Sequence, residues 1–379
     1  MSDAVRPIPS GGRLLHIGPH KTGSTAVQVA FHQVRPALAE HGVHYAGRNR
    51  RPKFAGWSIG LPGKRYGVAR PDEKLWRRLA AEVAAAEGRV VVSNEDFGRA
   101  NREQRRRIVD DLGGDAVHLV AVARPLASYL PSQWQERVKA GVTLSWPDWL
   151  EVVLADERPE GPDGHGFEWI NVWRAHDPRR YLPNWAEVVP SERFTLIVGD
   201  GSRDYVLRVF ERLLELPEGL LQAPAGGSNE SLSWAQVEAV RAAHLAFERR
   251  GVDRRERDPW IQRGLIRGFR ETGPSGPKVP PFPAWAAEKV AELSTAFAAA
   301  VAEAGVNVLG DPVHLMPRAE IAQGDPEQLP PLSMAEAALA LEAMVRATVD
   351  AVPGLGTPSE ADDPADPDAA GDADADDED

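Results

Sequence analysis

Short apolar runs alternate with amphipathic stretches through the first half of the chain. Arg13-Leu-Leu-His-Ile-Gly18 predicts a buried strand, and the residues after it, from about Ser24 to Glu40, predict a helix. Arg89-Val-Val-Val-Ser93 predicts a second strand, preceded by a helical run from Asp72 to Glu87. Val117-His-Leu-Val-Ala-Val122 predicts a third, preceded by a helical run from Arg102 to Leu112, and Phe194-Thr-Leu-Ile-Val198 a fourth, followed by a helix from Arg203 to Leu214. Strands that are apolar at almost every position are covered on both faces, and helices between them make the connections parallel. The predicted fold class is therefore α/β, a parallel sheet with helices on both faces.

The second half of the chain reads without strands. Ser231 to Arg250 carries an apolar stripe at Val237, Val240 and Leu245 and predicts a helix capped by Ser231 or Ser233. Pro283 to Gly305 and Ser333 to Val352 also read as helical, joined by the Pro- and Gly-rich connectors Thr272 to Pro283 and Gly310 to Pro331. These connectors are loops over a helical layer or the boundary of a small helical appendage. The expected organisation is an extension over residues 1–12, one domain over 13–350 and a tail over 351–379. Within the domain, an α/β core spans 13–250 and a helical, loop-rich part 251–350.

Charge changes this picture in one place. The net charge is −12, but the stretch from Glu360 to Asp379 holds 11 acidic residues and no basic one, leaving 44 positive against 45 negative charges on the rest. The body is balanced, with no basic excess to suggest nucleic acid. The tail offers almost nothing to bury and is expected to be a disordered, solubilising segment. No apolar run reaches the length of a membrane span, and residues 1–12 carry no apolar signal core. Cys is absent, which removes disulfides, thiolate metal sites and Cys nucleophiles and fits a cytoplasmic protein.

The sharpest chemistry lies in His16-Ile-Gly-Pro-His-Lys-Thr-Gly-Ser-Thr25, where the first strand ends and a helix begins. Gly18 and Gly23 permit close backbone approach. The amides of Thr22, Gly23, Ser24 and Thr25 open the helix and carry the positive end of its dipole. Lys21, one of only seven Lys, adds a point charge, and His20 lies beside it. Gly18, Gly23 and Thr25 match the spacing G-x-x-x-x-G-K-[ST] of a nucleoside-triphosphate loop, but Ser24 occupies its Lys position.

The third strand ends in Ala123-Arg-Pro-Leu-Ala-Ser-Tyr-Leu-Pro-Ser132. Arg124 thus sits at the carboxyl edge of the sheet, where ligands bind in open α/β folds, and Ser132 lies about two turns into the next helix. Arg can fork onto a phosphate and Ser can donate one bond to it.

Together these two segments resemble the sulfotransferases that use 3′-phosphoadenosine 5′-phosphosulfate (PAPS), over residues 13 to about 250. The loop is similar to their 5′-phosphosulfate loop, with Ser24 replacing a Thr. Arg124 and Ser132 are similar to their 3′-phosphate motif. Gln133-Trp-Gln-Glu-Arg-Val138 and Asn184-Trp-Ala-Glu-Val-Val189 are similar to the bacterial members. The resemblance implies a nucleotide-kinase-like core and in-line transfer of a sulfuryl group from PAPS to a hydroxyl or amine on a carbohydrate, lipid, peptide or small metabolite. It implies PAPS binding by His20, Lys21, Thr22, Gly23, Ser24, Thr25, Arg124 and Ser132, with Lys21 also catalytic and no metal required.

Such transfer needs a base for the acceptor proton. The second strand runs into Ser93-Asn-Glu-Asp-Phe97, and in the family a His or Glu near this position often serves. Glu95 is the expected base, with Asp96 and His20 as alternatives. Trp146, Trp149, Trp169 and Trp173 are candidates for stacking on an acceptor, although core packing accounts for most such Trp. His44 and Tyr45 could line an acceptor cleft, and Asn229 and Ser231 could approach the nucleotide. The competing functions are a kinase or NTPase using the same loop, and a catalytically silent nucleotide-binding module.

Overall fold

The computed structural model describes residues 5–61, 69–159, 166–199, 202–223, 231–273, 276–317 and 321–351. The acidic tail and Asn229 lie outside these residues. The chain divides into two compact units, one of residues 1–137, 144–231 and 279–329, the other of 138–143, 232–278 and 330–379.

The first unit is built on six parallel strands: β1 Arg13–His16, β2 Val43–Tyr45, β3 Arg89–Ser93, β4 Val117–Ala123, β5 Phe194–Val198 and β6 Asn307–Leu309. Their order is β2-β3-β1-β4-β5-β6. The packing helices are α1 Ser24–Gln33, α2 Lys74–Ala85, α3 Arg102–Asp111, α4 Leu126–Lys139, α5 Gly166–His176, α6 Pro178–Ala186, α7 Arg203–Leu214 and α8 Ala284–Glu303.

Successive strand residues point to opposite faces, and here both faces are dry. Leu15, Val90, Val92, Leu119 and Leu196 join one core with Trp76, Ile108, Trp185 and Val301 from α2, α3, α6 and α8. Leu14, Val91, Val120, Val122 and Ile197 join the other with Val27 and Phe31 of α1 and Leu207 and Phe210 of α7. That two-sided burial is why the strands read as unbroken apolar runs. Fully burying one such side chain is worth roughly 1.5–3 kcal/mol.

Two strands lie outside the sequence expectation. β2 and β6 are three residues each, too short for a periodic signal, and β6 falls in a stretch read as helix and loop. His44 and Tyr45 are part of β2 and face packing partners. Tyr45 stacks on Phe31 with ring centroids 5.3 Å apart, and His44 Nε2 meets Glu82 Oε1 at 2.8 Å.

β1 lies in the middle of the sheet, between β3 and β4. The chain leaves β1 towards β2 and leaves β4 towards β5, so the carboxyl ends of β1 and β4 form the switch point where open α/β sheets bind ligands. Arg124 and the loop after β1 both stand there.

The second unit is helical. Its helix Trp234–Glu248 is capped by Ser233, whose side chain accepts from Gln236 N while Gln236 Oε1 accepts from Ser233 N. Ser231 lies two residues earlier and is exposed. A π-helical stretch, Pro259–Ile266, continues into Arg267–Thr272 and packs on the helix Met334–Ala351. A Cβ at Gly268 would lie 2.7 Å from Ala343 Cβ, so this contact depends on small residues. No helix among the described residues is long and apolar enough to cross a membrane.

Candidate active site at the ends of β1, β3 and β4

The loop after β1 is knitted to both neighbouring strands before it turns. Ile17 N donates to Val120 O at 3.0 Å, Val122 N to Gly18 O at 2.8 Å, and Asn94 N to His16 O at 3.0 Å. Gly18 has φ 84°, and a Cβ there would lie 2.6 Å from Glu95 Cβ. Glycine is therefore required twice, for the left-handed backbone and for the approach of β3's end. Gly23 has φ 96° and caps α1 with backbone alone. Lys21 also lies in the left-handed region, at φ 66°, a conformation that costs a non-glycine residue about 1 kcal/mol.

The hydroxyls of the loop turn inward. Thr22 Oγ1 donates to Pro19 O at 2.7 Å and Ser24 Oγ to the same oxygen at 3.2 Å. Gly23 and Thr25 are exposed, and no side chain caps the amino end of α1. Those first amides face outward with the dipole behind them.

Arg124 ends β4 and reaches across to this loop. Its Nη1 donates to Lys21 O at 2.6 Å and its Nε to Ser128 Oγ at 3.1 Å. The Lys21 ammonium meets Glu136 Oε1 on α4 at 2.9 Å. Ser132 lies on α4 four residues after Ser128 and four before Glu136, so the three follow one face of the helix. The sequence places Arg124 and the loop at the same sheet edge; the structure adds a direct contact between them, and it adds Glu136, which was not singled out.

On the other side, β3 runs into a short 3₁₀ turn, Glu95–Arg99, whose amino end is capped by Asn94 Oδ1 accepting from Asp96 N at 3.1 Å. Glu95 and Asp96 are both buried. Glu95 Oε2 accepts from Gln28 Nε2 at 2.6 Å and Oε1 pairs with the Arg51 guanidinium. Asp96 Oδ1 accepts from His20 Nε2 at 2.8 Å, and Oδ2 accepts from Trp57 Nε1 at 3.3 Å. His20 Nδ1 lies 3.7 Å from Glu95 Oε1.

These contacts set the basicities. Burial raises the Glu95 carboxyl, but Arg51 and then His20 outweigh it and hold it down to about 2. Burial raises Asp96 as well, and its bond from His20 carries it well below the usual carboxylate range. Burial, with Arg99, pushes His20 below its ordinary value against the pull of the two carboxylates. The hydrogen bond to Asp96 puts the His20 proton on Nε2 and leaves the Nδ1 lone pair available. Glu95, the expected base, is therefore a weak one in this arrangement. Arg51 and Gln28, which make it so, were not singled out from sequence; the signal for Gln28 is a polar residue on the buried face of α1.

The Trp candidates are packing residues. Trp146 and Trp149 are fully buried and stack with centroids 5.9 Å apart, and Trp173 is buried against Phe297. Trp169 Nε1 donates to Ala155 O at 3.0 Å. Among the described residues no group of three His, Asp or Glu is arranged to hold a metal ion.

No family model and no curated protein matches the chain. Among solved structures, a sulfotransferase from Alicyclobacillus acidocaldarius is similar at a TM-score of 0.40 and 15% identity, over 66% of this chain and 96% of that one. The functional reading therefore rests on the residues at the ends of β1, β3 and β4.

Proposed function

We propose that the protein is a sulfotransferase that moves a sulfuryl group from PAPS to a hydroxyl or amine of a carbohydrate, lipid or small metabolite. The observation that carries the reading is the contact of Arg124 with the loop of residues 17–23. It brings an uncapped helix amino end and a guanidinium to one sheet edge, beside a part-buried imidazole on two buried carboxylates. PAPS has a matching set of groups: a phosphosulfate for the loop and a separate 3′-phosphate for a guanidinium.

The donor set fits such a ligand. The amides at the exposed Gly23 and Thr25 and the Lys21 ammonium would hold the phosphosulfate, while Thr22 and Ser24 keep the loop in shape through Pro19 O. Arg124 directs Nε and Nη1 to the protein, and Nη2 would donate towards the 3′-phosphate with Ser132 nearby. PAPS supplies an activated sulfuryl group with a phosphate leaving group. Lys21 neutralises charge at the oxygen that leaves, a contribution that grows towards the transition state.

His20 takes the acceptor proton in this proposal, in place of Glu95. Its Nδ1 is unprotonated at neutral pH, and Asp96 fixes the ring from the other side, the arrangement by which carboxylates orient catalytic imidazoles. Glu95, bound to Arg51 and Gln28, shapes the floor on which Gly18 rests. Water and an acceptor compete for the sulfuryl group, and burial of Glu95 and Asp96 limits water on this side.

A magnesium–ATP enzyme is the rival chemistry, since Glu95 and Asp96 also end a strand beside the loop. Melting temperature in saturating 3′-phosphoadenosine 5′-phosphate against ATP with magnesium separates the two. A ligand at about 100 times its Kd stabilises by about 2.7 kcal/mol, and the 3′-phosphorylated nucleotide is expected to do so. Arg124→Ala should lower its affinity by roughly one to two decades, the worth of about 1.5–3 kcal/mol for a charge-assisted bond. Adenosine 5′-phosphosulfate, which lacks the 3′-phosphate, should lose far less. Stabilisation by ATP with magnesium alone overturns the proposal.

A further inference from the structure

Lys21 is held at both ends by one continuous piece of chain. Arg124, the residue after β4, takes its carbonyl at 2.6 Å, and Glu136, three turns along α4, takes its ammonium at 2.9 Å. Ser128, Ser132 and Glu136 recur every four residues and so share the α4 face that meets the loop. Two of the three side chains on that face are neutral donors. Glu136 is the exception: it brings a negative charge to the Lys21 ammonium on the α4 side of the loop.

The pair is not locked away. The Lys21 side chain is 30% exposed and that of Glu136 22%, so water reaches both, unlike Glu95 and Asp96 at 10% and 4%. A part-exposed ion pair is weak enough to exchange, because solvent competes for both partners. A carboxylate oxygen on a lysine ammonium also has the size, charge and bond length of a phosphate or sulfate oxygen there.

We propose that Glu136 is an intramolecular stand-in for the anionic ligand. It occupies Lys21 when the site is empty and yields it to an incoming phosphate or sulfate oxygen. Every anion that binds the loop then competes with Glu136, which lowers affinity in the ground state. The proposal rests on the reading of residues 17–25 as an anion cradle, but not on the identity of the nucleotide.

The test uses inorganic pyrophosphate as the probe, titrated calorimetrically into the full chain. Glu136→Gln removes the charge at nearly constant shape and should bind pyrophosphate about five- to thirtyfold tighter, with a steeper fall as salt rises. Glu136→Asp, which keeps the charge, should stay within about threefold of wild type. In the Lys21→Ala background, Glu136→Gln should lose most of its gain, since the coupling runs through Lys21. Adenosine, which is neutral, should bind all variants alike, and melting curves check that each is folded.

Equal or weaker pyrophosphate binding by folded Glu136→Gln overturns the stand-in and makes Glu136 a residue that merely props Lys21. That result leaves the anion cradle intact provided the wild type binds. Failure of the wild type to bind pyrophosphate at all removes the cradle and the stand-in together.

Discussion

At the carboxyl end of β3, two buried carboxylates, a guanidinium, an imidazole, a glutamine and an indole satisfy one another. Glu95 meets Arg51 and Gln28, while Asp96 meets His20 and Trp57. At the end of β4, Arg124 and Lys21 are tied to the loop and to Glu136 through contacts that solvent reaches. The two ends lie on either side of β1 and grip the same loop, one through His20 and the other through Lys21. Buried charge is tolerated only when it is fully compensated, which makes the β3 end rigid and fixes its protons. The β4 end keeps its Lys21–Glu136 pair partly open to solvent. On the proposed function, shape and proton chemistry belong to one side of the loop, and anion binding to the other.

The largest effect expected from breaking this division lies at His20. His20→Ala removes the imidazole that the proposed function assigns as base at the β3 end, a group that burial holds below its ordinary basicity. Turnover should fall roughly 10²- to 10⁴-fold, the usual worth of a positioned base. Affinity for 3′-phosphoadenosine 5′-phosphate, which the proposed function assigns to the β4 end, should stay within a few-fold of wild type. Steady-state rates with a real acceptor, paired with calorimetric nucleotide affinities, check this. A parallel loss of both would mean that His20 holds the loop as a whole and that the two ends are not separable.

Much of this frame was legible in the sequence. Val90, Val91 and Val92, or Leu119 to Val122, announce strands because both sheet faces are dry and every position is apolar. β2 and β6 escaped because three residues carry no usable period, and Asn307 and His44 interrupt what little there is. The loop, Arg124, Glu95 and Asp96 were placed correctly at strand ends, since motifs local in sequence need only local structure. Arg51, Gln28 and Glu136 were not found. Each acts on a partner far along the chain, at sequence separations such as the 67 residues between Gln28 and Glu95, and nothing local distinguishes Arg51 from Arg48 or Arg50. The basicity of Glu95, which depends on those partners, was therefore out of reach as well.

A smaller effect, on stability, should distinguish the two glycines of the loop. Gly18 lies where the β3 end presses in, and Gly23 where the chain opens towards solvent. Gly18→Ala adds a clash with Glu95 to a left-handed backbone and should cost about 3 kcal/mol, a sum of overpacking and conformational strain. Gly23→Ala meets nothing within 4 Å and carries the conformational cost alone, about 1–2 kcal/mol. Chemical denaturation of both variants measures the gap. Equal losses would show that the β3 end is softer than its packing implies.

The smallest change in turnover is expected from Glu95→Gln, and it sharpens the comparison most. The glutamine keeps the shape that Gly18 requires and can accept from Gln28 or Arg51 through its carbonyl. What it loses is charge, and a carboxylate held at about 2 supplies little basicity at neutral pH. Turnover should stay within about tenfold of wild type. The signature of the substitution should appear in acid instead. Because the folded pKa of Glu95 is depressed below its ordinary 4.5, the wild-type pairing stabilises the fold fully above pH 4.5 and is lost as pH falls through about 2. Glu95→Gln should be less stable than wild type at neutral pH and should approach it as pH drops through that window. His16, which burial lowers to about 4 against the pull of Glu95, contributes a separate loss below pH 6.5 that is larger in Glu95→Gln, where that pull is gone. Unfolding free energies from pH 7 to 2, set beside turnover at pH 7, decide the matter. A fall in turnover of 10²-fold or more would make Glu95 the base after all, freed when an acceptor draws Arg51 away, and the β3 end would then be as exchangeable as the β4 end.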